Sequence, residues 1–223
     1  MIYFMSSRFE LNEASPEEKP RIVIKRSTEA PPEVKKIHLF YDPEIWGMAT
    51  SPEDIYLPES DEGISFAIAA HEIGHLVKEG ERTDASLDNY EATRAEEERA
   101  WLKGWPYLAR YLTQYYVEKP ELAVEIIEKY GIIRELMMKT VEISRPMYLP
   151  KDSLDGLTLE EQDLKLRQQR EKFMAEHGSE VMDIFTEIKN NKVGRSVDWK
   201  TYVVVTKKAI ADIIQDNERE GDK

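Results

Sequence analysis

A chain of 223 residues that is 41% hydrophobic can bury a real core, as one large domain or as two smaller ones. Its net charge of −13 argues against a general nucleic-acid or anionic-membrane surface, and no apolar run approaches the length that spans a bilayer, so a soluble cytoplasmic protein is expected. Cysteine is absent, which removes disulfides, thiolate ligands and cysteine nucleophiles together and leaves His, Asp and Glu to hold any metal.

In chain order, residues 1–20 read as a loose arm, polar and acidic from 8 onward and broken by Pro16 and Pro20. Order is expected to begin at Arg21, with short strands over 21–25 and 36–41 separated by Ala30-Pro31-Pro32. Residues 46–50 and 54–57 read as a hairpin joined by Ser51-Pro52-Glu53 and closed by Pro58. An apolar run over 64–77 follows, with Gly80 well placed to end a helix. From residue 88 the periodicity is helical. Asp88 or Asn89 can cap a helix through Trp101 or Lys103, Pro106 can open the next through Tyr116, and a third over 119–130 ends on Gly131. Residues 132–143 continue in helical spacing until Arg145-Pro146, and 147–156 form the best linker. Thr158-Leu159-Glu160-Glu161 is a capping box for a charged helix ending at His177-Gly178, with His177 at the helix end and the run 160–176 as a solvated face. Segments 179–190 and 198–216 complete a helical tail, although Val203-Val204-Val205 also suits a strand.

The chemistry lies in His71-Glu72-Ile73-Gly74-His75, an HExxH sequence inside the apolar run. On a helix the two histidines stand on one face, four residues apart, which lets both imidazoles reach one Zn²⁺ with Glu72 beside them as a base. The surrounding run is apolar nearly all round: Ile64, Ala67 and Ile68 share the face of His71, while Phe66, Ala69, Ile73, Leu76 and Val77 lie opposite. Such a helix is buried. Two buried histidines and a buried carboxylate are costly without partners, and a metal ion supplies them; a solvated helix with incidental histidines fits the pattern poorly. Gly74 costs helix stability but allows another backbone or a ligand to come close.

Two histidines leave a zinc site one protein ligand short, and the usual completion is a Glu or His from a packed element. The next histidine downstream is His177, whereas an acidic helical stretch with Glu91, Glu96, Glu97 and Glu98 follows after a short connection. The third ligand should therefore be a glutamate. Glu97 shares a helix face with Tyr90, Thr93, Ala100, Trp101 and Gly104, small enough in places to admit a second helix. Glu96 keeps company with Ala92, Arg99 and Lys103 and reads as solvent-facing; Glu98 has the apolar neighbours Ala95, Trp101, Leu102 and Trp105, and Glu91 also stays open.

Over residues 37–105 the chain resembles the gluzincins, and within them the ImmA/IrrE-like metallopeptidases, through His71-Glu72-Ile73-Gly74-His75-Leu76-Val77 and, more loosely, Glu97-Glu98-Arg99-Ala100-Trp101. The resemblance implies an α+β fold, with a small zincin-like sheet followed by the HExxH helix and a largely α-helical remainder. Residues 1–146 would then be a metallopeptidase domain with packed helices, and 147–223 a helical C-terminal region. It further implies Zn²⁺ on His71, His75 and Glu97, Glu72 as general base for the attacking water, and a peptide or protein substrate laid along an edge strand at 54–57. An ordinary half-buried hairpin is the plain alternative for that strand. Tyr90, Tyr107, Tyr111 and His38 are oxyanion partners by type only, and each also reads as structural. Met137, Met138 and the tryptophans read as packing residues. Two rival functions remain: a catalytically inactive zincin-like regulatory or assembly protein acting through its acidic helical tail, and a metal sensor that would not require Glu72.

Overall fold

A computed structural model describes residues 21–26, 36–42, 48–49, 54–58, 64–77, 89–115, 117–149, 153–191 and 199–221. The expected arm at 1–20, the connection at 78–88 and part of the linker at 150–152 lie outside the described residues. Most of what is described is helical. The strands are β1 (Arg21–Arg26), β2 (Lys36–Asp42), β3 (Met48–Ala49) and β4 (Asp54–Pro58), in the order β1-β2-β4-β3. β1, β2 and β4 run parallel, and β3 folds back antiparallel on β4. In β4, Ile55 and Leu57 are fully buried while Asp54, Tyr56 and Pro58 are half-covered, the two-residue alternation of a sheet with one face on the core. Ile55 sits opposite the buried Leu39 of β2.

This order corrects the edge-strand expectation. β4 lies between β2, with which it pairs in parallel, and β3, with which it pairs antiparallel; among the described strands β3 and β1 are the outer ones.

The apolar run forms α1 (Ile64–Gly74), which packs on β4 and is covered all round: Phe66, Ala69, Ala70 and Ile73 are fully buried. It stops earlier than Gly80. The backbone N–H groups of His75, Leu76 and Val77 bond three residues back, to Glu72, Ile73 and Gly74, so His75 stands in the tightened last turn.

Three expected helix breaks are absent. α2 (Tyr90–Tyr115) runs through Pro106, α3 (Pro120–Ile143) through Gly131, and α4 (Leu159–Asn190) through Gly178. In each case an apolar stripe continues past the breaker: Leu108 and Leu112 in α2, Ile133 and Val141 in α3, Val181, Ile184 and Ile188 in α4 are buried. The few kcal/mol lost to a helix-interior Pro, or about 1 for Gly, are offset by burying two or more such side chains at roughly 1.5–3 kcal/mol each. His177 is therefore a mid-helix residue, with Glu180 at 3.9 Å, and not a helix end. Asn89 does cap α2 through a 3.0 Å bond from the Ala92 N–H, and the Thr158–Glu161 capping box is closed in both directions. The Glu160 to Glu176 side chains are mostly exposed, as a solvated face requires.

Between α3 and α4 the chain makes a 3-10 turn (Arg145–Met147) and turns again at Gly156, whose φ of 77° suits glycine. α5 (Trp199–Gly221) is helical through Val203–Val205 and buries Tyr202, Val205, Ala209, Ile210 and Ile213 completely. It lies along α2, where Asp212 and Asp216 accept from Tyr111 (2.6 Å) and Tyr107 (3.1 Å), and it reaches both ends of α1. Tyr202 Oη donates to the Ser65 carbonyl (3.5 Å), and Asn217 Nδ2 donates to the Leu76 carbonyl (2.8 Å). The last helix is thus part of what holds α1 in place. Among the described residues no helix is long and apolar enough to cross a membrane.

Candidate metal centre

The site is set by a close crossing of α1 and α2. Gly74 faces Ala100 and Gly104 faces Ala70; a Cβ on Gly74 would fall 1.9 Å from the Ala100 carbonyl oxygen, and one on Gly104 would fall 1.8 Å from that of Ala70. Only hydrogen fits at either position. The small-residue face anticipated for α2 is the face that meets α1, and this places the Glu96–Glu97 turn of α2 over His71 and His75.

His71, His75 and Glu97 offer donor atoms that all lie within 4.8 Å of one another, a group that could hold a metal ion. His71 Nε2 and Glu97 Oε2 are 3.1 Å apart. Two donors of one tetrahedral ion at about 2.1 Å each stand about 3.4 Å apart, so the pair needs little adjustment. Glu72 Oε1 lies 3.9 Å from the same His71 nitrogen, on the ligand side of the helix. His71, Glu72 and Glu97 are buried and His75 nearly so. His71 is stacked on Trp101, ring centroids 4.5 Å apart and planes 26° from parallel; Trp101 is itself buried and accepts a hydrogen bond on its carbonyl from Tyr130. The tryptophan is a packing residue, as expected, and what it packs is one of the three candidate donors.

Sequence reasoning missed Glu96. It is not solvent-facing: its Oε1 accepts from His75 Nδ1 at 3.0 Å and from Arg99 Nη2 at 2.6 Å, and its Oε2 accepts from Arg99 Nε at 2.7 Å. The sequence carries no clear signal for it: the crossing of Gly74 on Ala100 is what brings the preceding turn of α2, and both its glutamates, to the histidines.

Charge in the site is consistent with a cation. Burial pushes the His71 imidazole down to about 4 against the pull of Glu97, which keeps it neutral and able to donate a lone pair near pH 7. Burial opposes the charge on Glu97, while the hydrogen bond from His71 and the nearby His75 favour it, and its carboxyl lies well below the usual range. For His75, burial favours the neutral form, yet the Glu96 hydrogen bond and the charges of Glu97, Glu72 and Glu96 outweigh it and raise the imidazole. Among the described residues three carboxylates, Glu72, Glu96 and Glu97, converge on two imidazoles with Arg99 on Glu96, and a divalent ion suits that surplus of negative charge. The donor set fits a metal of the zinc type.

Glu96 also gives a pH signature. Burial would raise its carboxyl, but the Arg99 and His75 bonds hold it down to about 2 from an ordinary 4.5. A folded-state value below the unfolded one means that stability is present above pH 4.5 and is lost as pH falls from 4.5 towards 2. In metal-free protein Glu96 should therefore contribute up to about 3 kcal/mol to the loss over this window, beside the contribution of Glu97, and Glu96→Gln should remove its share of the slope in chemical denaturation at a series of pH values.

The other glutamates are placed elsewhere. Glu98 is half-exposed beside Arg94 (4.0 Å) and Arg134 (3.8 Å), and Glu91 is exposed beside Arg145 (3.4 Å). Glu97→Gln should weaken zinc binding at least about 10-fold, a change that even residues behind the ligands produce, while Glu98→Gln and Glu91→Gln leave it unchanged in a competition titration. Tyr107 and Tyr111 are committed to α5, and Tyr90 packs edge-on against Tyr148 under Arg145. His38 lies in β2, with its side chain outside the described residues. Met137 and Met138 pack against the core.

No family model, characterised protein or solved structure matches the chain.

Proposed function

We propose that the protein is a zinc-dependent metallopeptidase of gluzincin type, similar to the ImmA/IrrE-like enzymes, in which His71, His75 and Glu97 hold the ion and Glu72 is the general base. The observation that carries this reading is the convergence of two imidazoles and a helix-borne carboxylate, with a fourth buried group, Glu72, 3.9 Å from His71 Nε2. A buried carboxylate beside a His, His, Glu donor set has a use in hydrolysis and none in simple metal storage. The four-stranded sheet ahead of α1 supports an α+β, zincin-like arrangement, and the outer antiparallel strand β3 is the one on which an extended peptide would pair.

Zinc, when bound, supplies a polarised water and a Lewis acid for the scissile carbonyl. The chain does the rest. Glu72 takes the proton of the attacking water and returns it to the leaving amine, a transfer that needs a carboxylate within hydrogen-bond reach of both. Trp101 and the α1–α2 crossing hold His71 in one orientation, and the buried surroundings of Glu72 exclude bulk water. The test is elemental analysis of protein purified without chelator, followed by zinc titration and incubation with a mixture of peptides. One zinc per chain and chelator-sensitive cleavage are expected; no stoichiometric binding would overturn the reading.

A further inference from the structure

We propose that Glu96 is a positioning residue for the metal centre, fixing the His75 ring in the tautomer and orientation that binds metal through Nε2, and that Arg99 anchors Glu96 to the end of α1. The inference rests on the metal-binding reading of His71, His75 and Glu97. His75 stands just past the α-helical part of α1, in a last turn whose backbone bonds are of the three-residue type, one of them 3.3 Å long. Of the three proposed ligands it is the most accessible, with a side chain 14% exposed against 4% for His71 and 7% for Glu97. His71 has the Trp101 ring stacked on it; the His75 ring is fixed by a hydrogen bond. Its Nδ1 lies 3.0 Å from Glu96 Oε1; an ionised carboxylate only accepts, so Nδ1 carries a proton and Nε2 is the nitrogen left to bind a metal.

Glu96 is itself held from the far side. Arg99 grips both carboxylate oxygens, at 2.6 and 2.7 Å, and its remaining Nη1 donates to the Val77 carbonyl at 2.8 Å. Val77 ends the turn that contains His75. The contacts therefore close a ring, from His75 through Glu96 and Arg99 back to the chain two residues beyond His75, and α5 adds Asn217 on the neighbouring Leu76 carbonyl. A planar guanidinium suits this task because its fork leaves a nitrogen for a third acceptor, which a lysine ammonium in the same place would not orient. Adjacent glutamates of one helix thus divide the work: Glu97 faces His71 as a ligand, and Glu96 faces His75 as its support.

The experiment uses zinc and cobalt(II) alone with the full chain. Glu96→Ala should weaken zinc binding about 10- to 100-fold and change the cobalt(II) absorption spectrum, because the His75 donor is no longer held. Glu96→Gln, whose amide oxygen still accepts from Nδ1, should recover part of that loss. In the unsubstituted zinc protein, long-range proton–nitrogen NMR should show His75 protonated on Nδ1. Folded Glu96→Ala with unchanged zinc affinity and cobalt spectrum overturns this inference alone, and so does a His75 proton on Nε2 in the zinc form. The NMR result decides the matter if Glu96→Ala fails to fold. If the unsubstituted protein binds no zinc, the metal reading falls and this inference falls with it.

Discussion

Gly74→Ala should cost roughly 3 kcal/mol or more of stability and weaken zinc binding at least about 10-fold, although it adds a single methyl group. The methyl carbon would lie 1.9 Å from the Ala100 carbonyl oxygen and within 2.9 Å of the Ala100 Cα. Both are backbone atoms of a long helix, so no side chain can swing aside. α1 and α2 would have to part by about 1.5 Å to restore ordinary contact, and every proposed ligand pair that spans the crossing would part with them. Gly104→Ala meets the Ala70 carbonyl at 1.8 Å and should behave alike. Gly131→Ala is the control: a Cβ there meets nothing within 4 Å, in the interior of α3, and the change should stabilise by about 0.5–1 kcal/mol. Thermal or denaturant unfolding of the three variants, with zinc titration of those that fold, checks the set. Equal effects at 74 and 131 would show that helix propensity, and not the crossing, governs both positions.

The same two positions show what a reader of the sequence can and cannot extract. Gly74 was legible as a point of close approach because a glycine inside an apolar helix has few other uses. What approaches it was not legible, since that depends on which face of α2 turns inward over a crossing that local periodicity does not encode. Glu97 lies by sequence on a face with the small residues Ala100 and Gly104, where another helix can come near; that the helix is α1 is what the structure adds. Glu96 reads as solvent-facing because its helix-face neighbours Ala92, Arg99 and Lys103 are small or charged, and a buried ion pair looks like an exposed one in sequence. Pro106 reads as a helix start, and Gly131 and Gly178 as helix ends, because each is a strong local signal. Tertiary burial of Leu108, Ile133 and Val181 on the far sides outweighs it. The position of β4 inside the sheet was similarly out of reach: the hairpin was visible, but whether β4 or β3 faced outward depended on the parallel pairing of β4 with β2.

Glu72→Gln should separate binding from catalysis. The substitution keeps the size of a side chain that is 4% exposed and removes only its charge and its capacity to accept a proton. Zinc affinity should stay within a few-fold of the original, for a reason internal to the site: the Glu72 charge is one of the influences that raise the His75 imidazole, so its removal makes His75 easier to keep neutral and offsets the lost attraction to the ion. Stability should hold as well, since one of three converging carboxylates is relieved of its like-charged neighbours. Hydrolysis should fall roughly 10²–10⁴-fold, the contribution expected of a general base, with the loss in turnover and not in substrate binding. Single-turnover cleavage of a peptide identified with the unsubstituted enzyme, beside zinc titration and melting of the variant, measures all three quantities. Cleavage at the original rate would remove Glu72 from the mechanism. Stoichiometric zinc with no peptide cleaved by the unsubstituted protein would instead favour a regulatory scaffold, in which the α1–α2 crossing, the ligand set and the clasp of α5 on α1 serve assembly and the buried Glu72 has no chemical task.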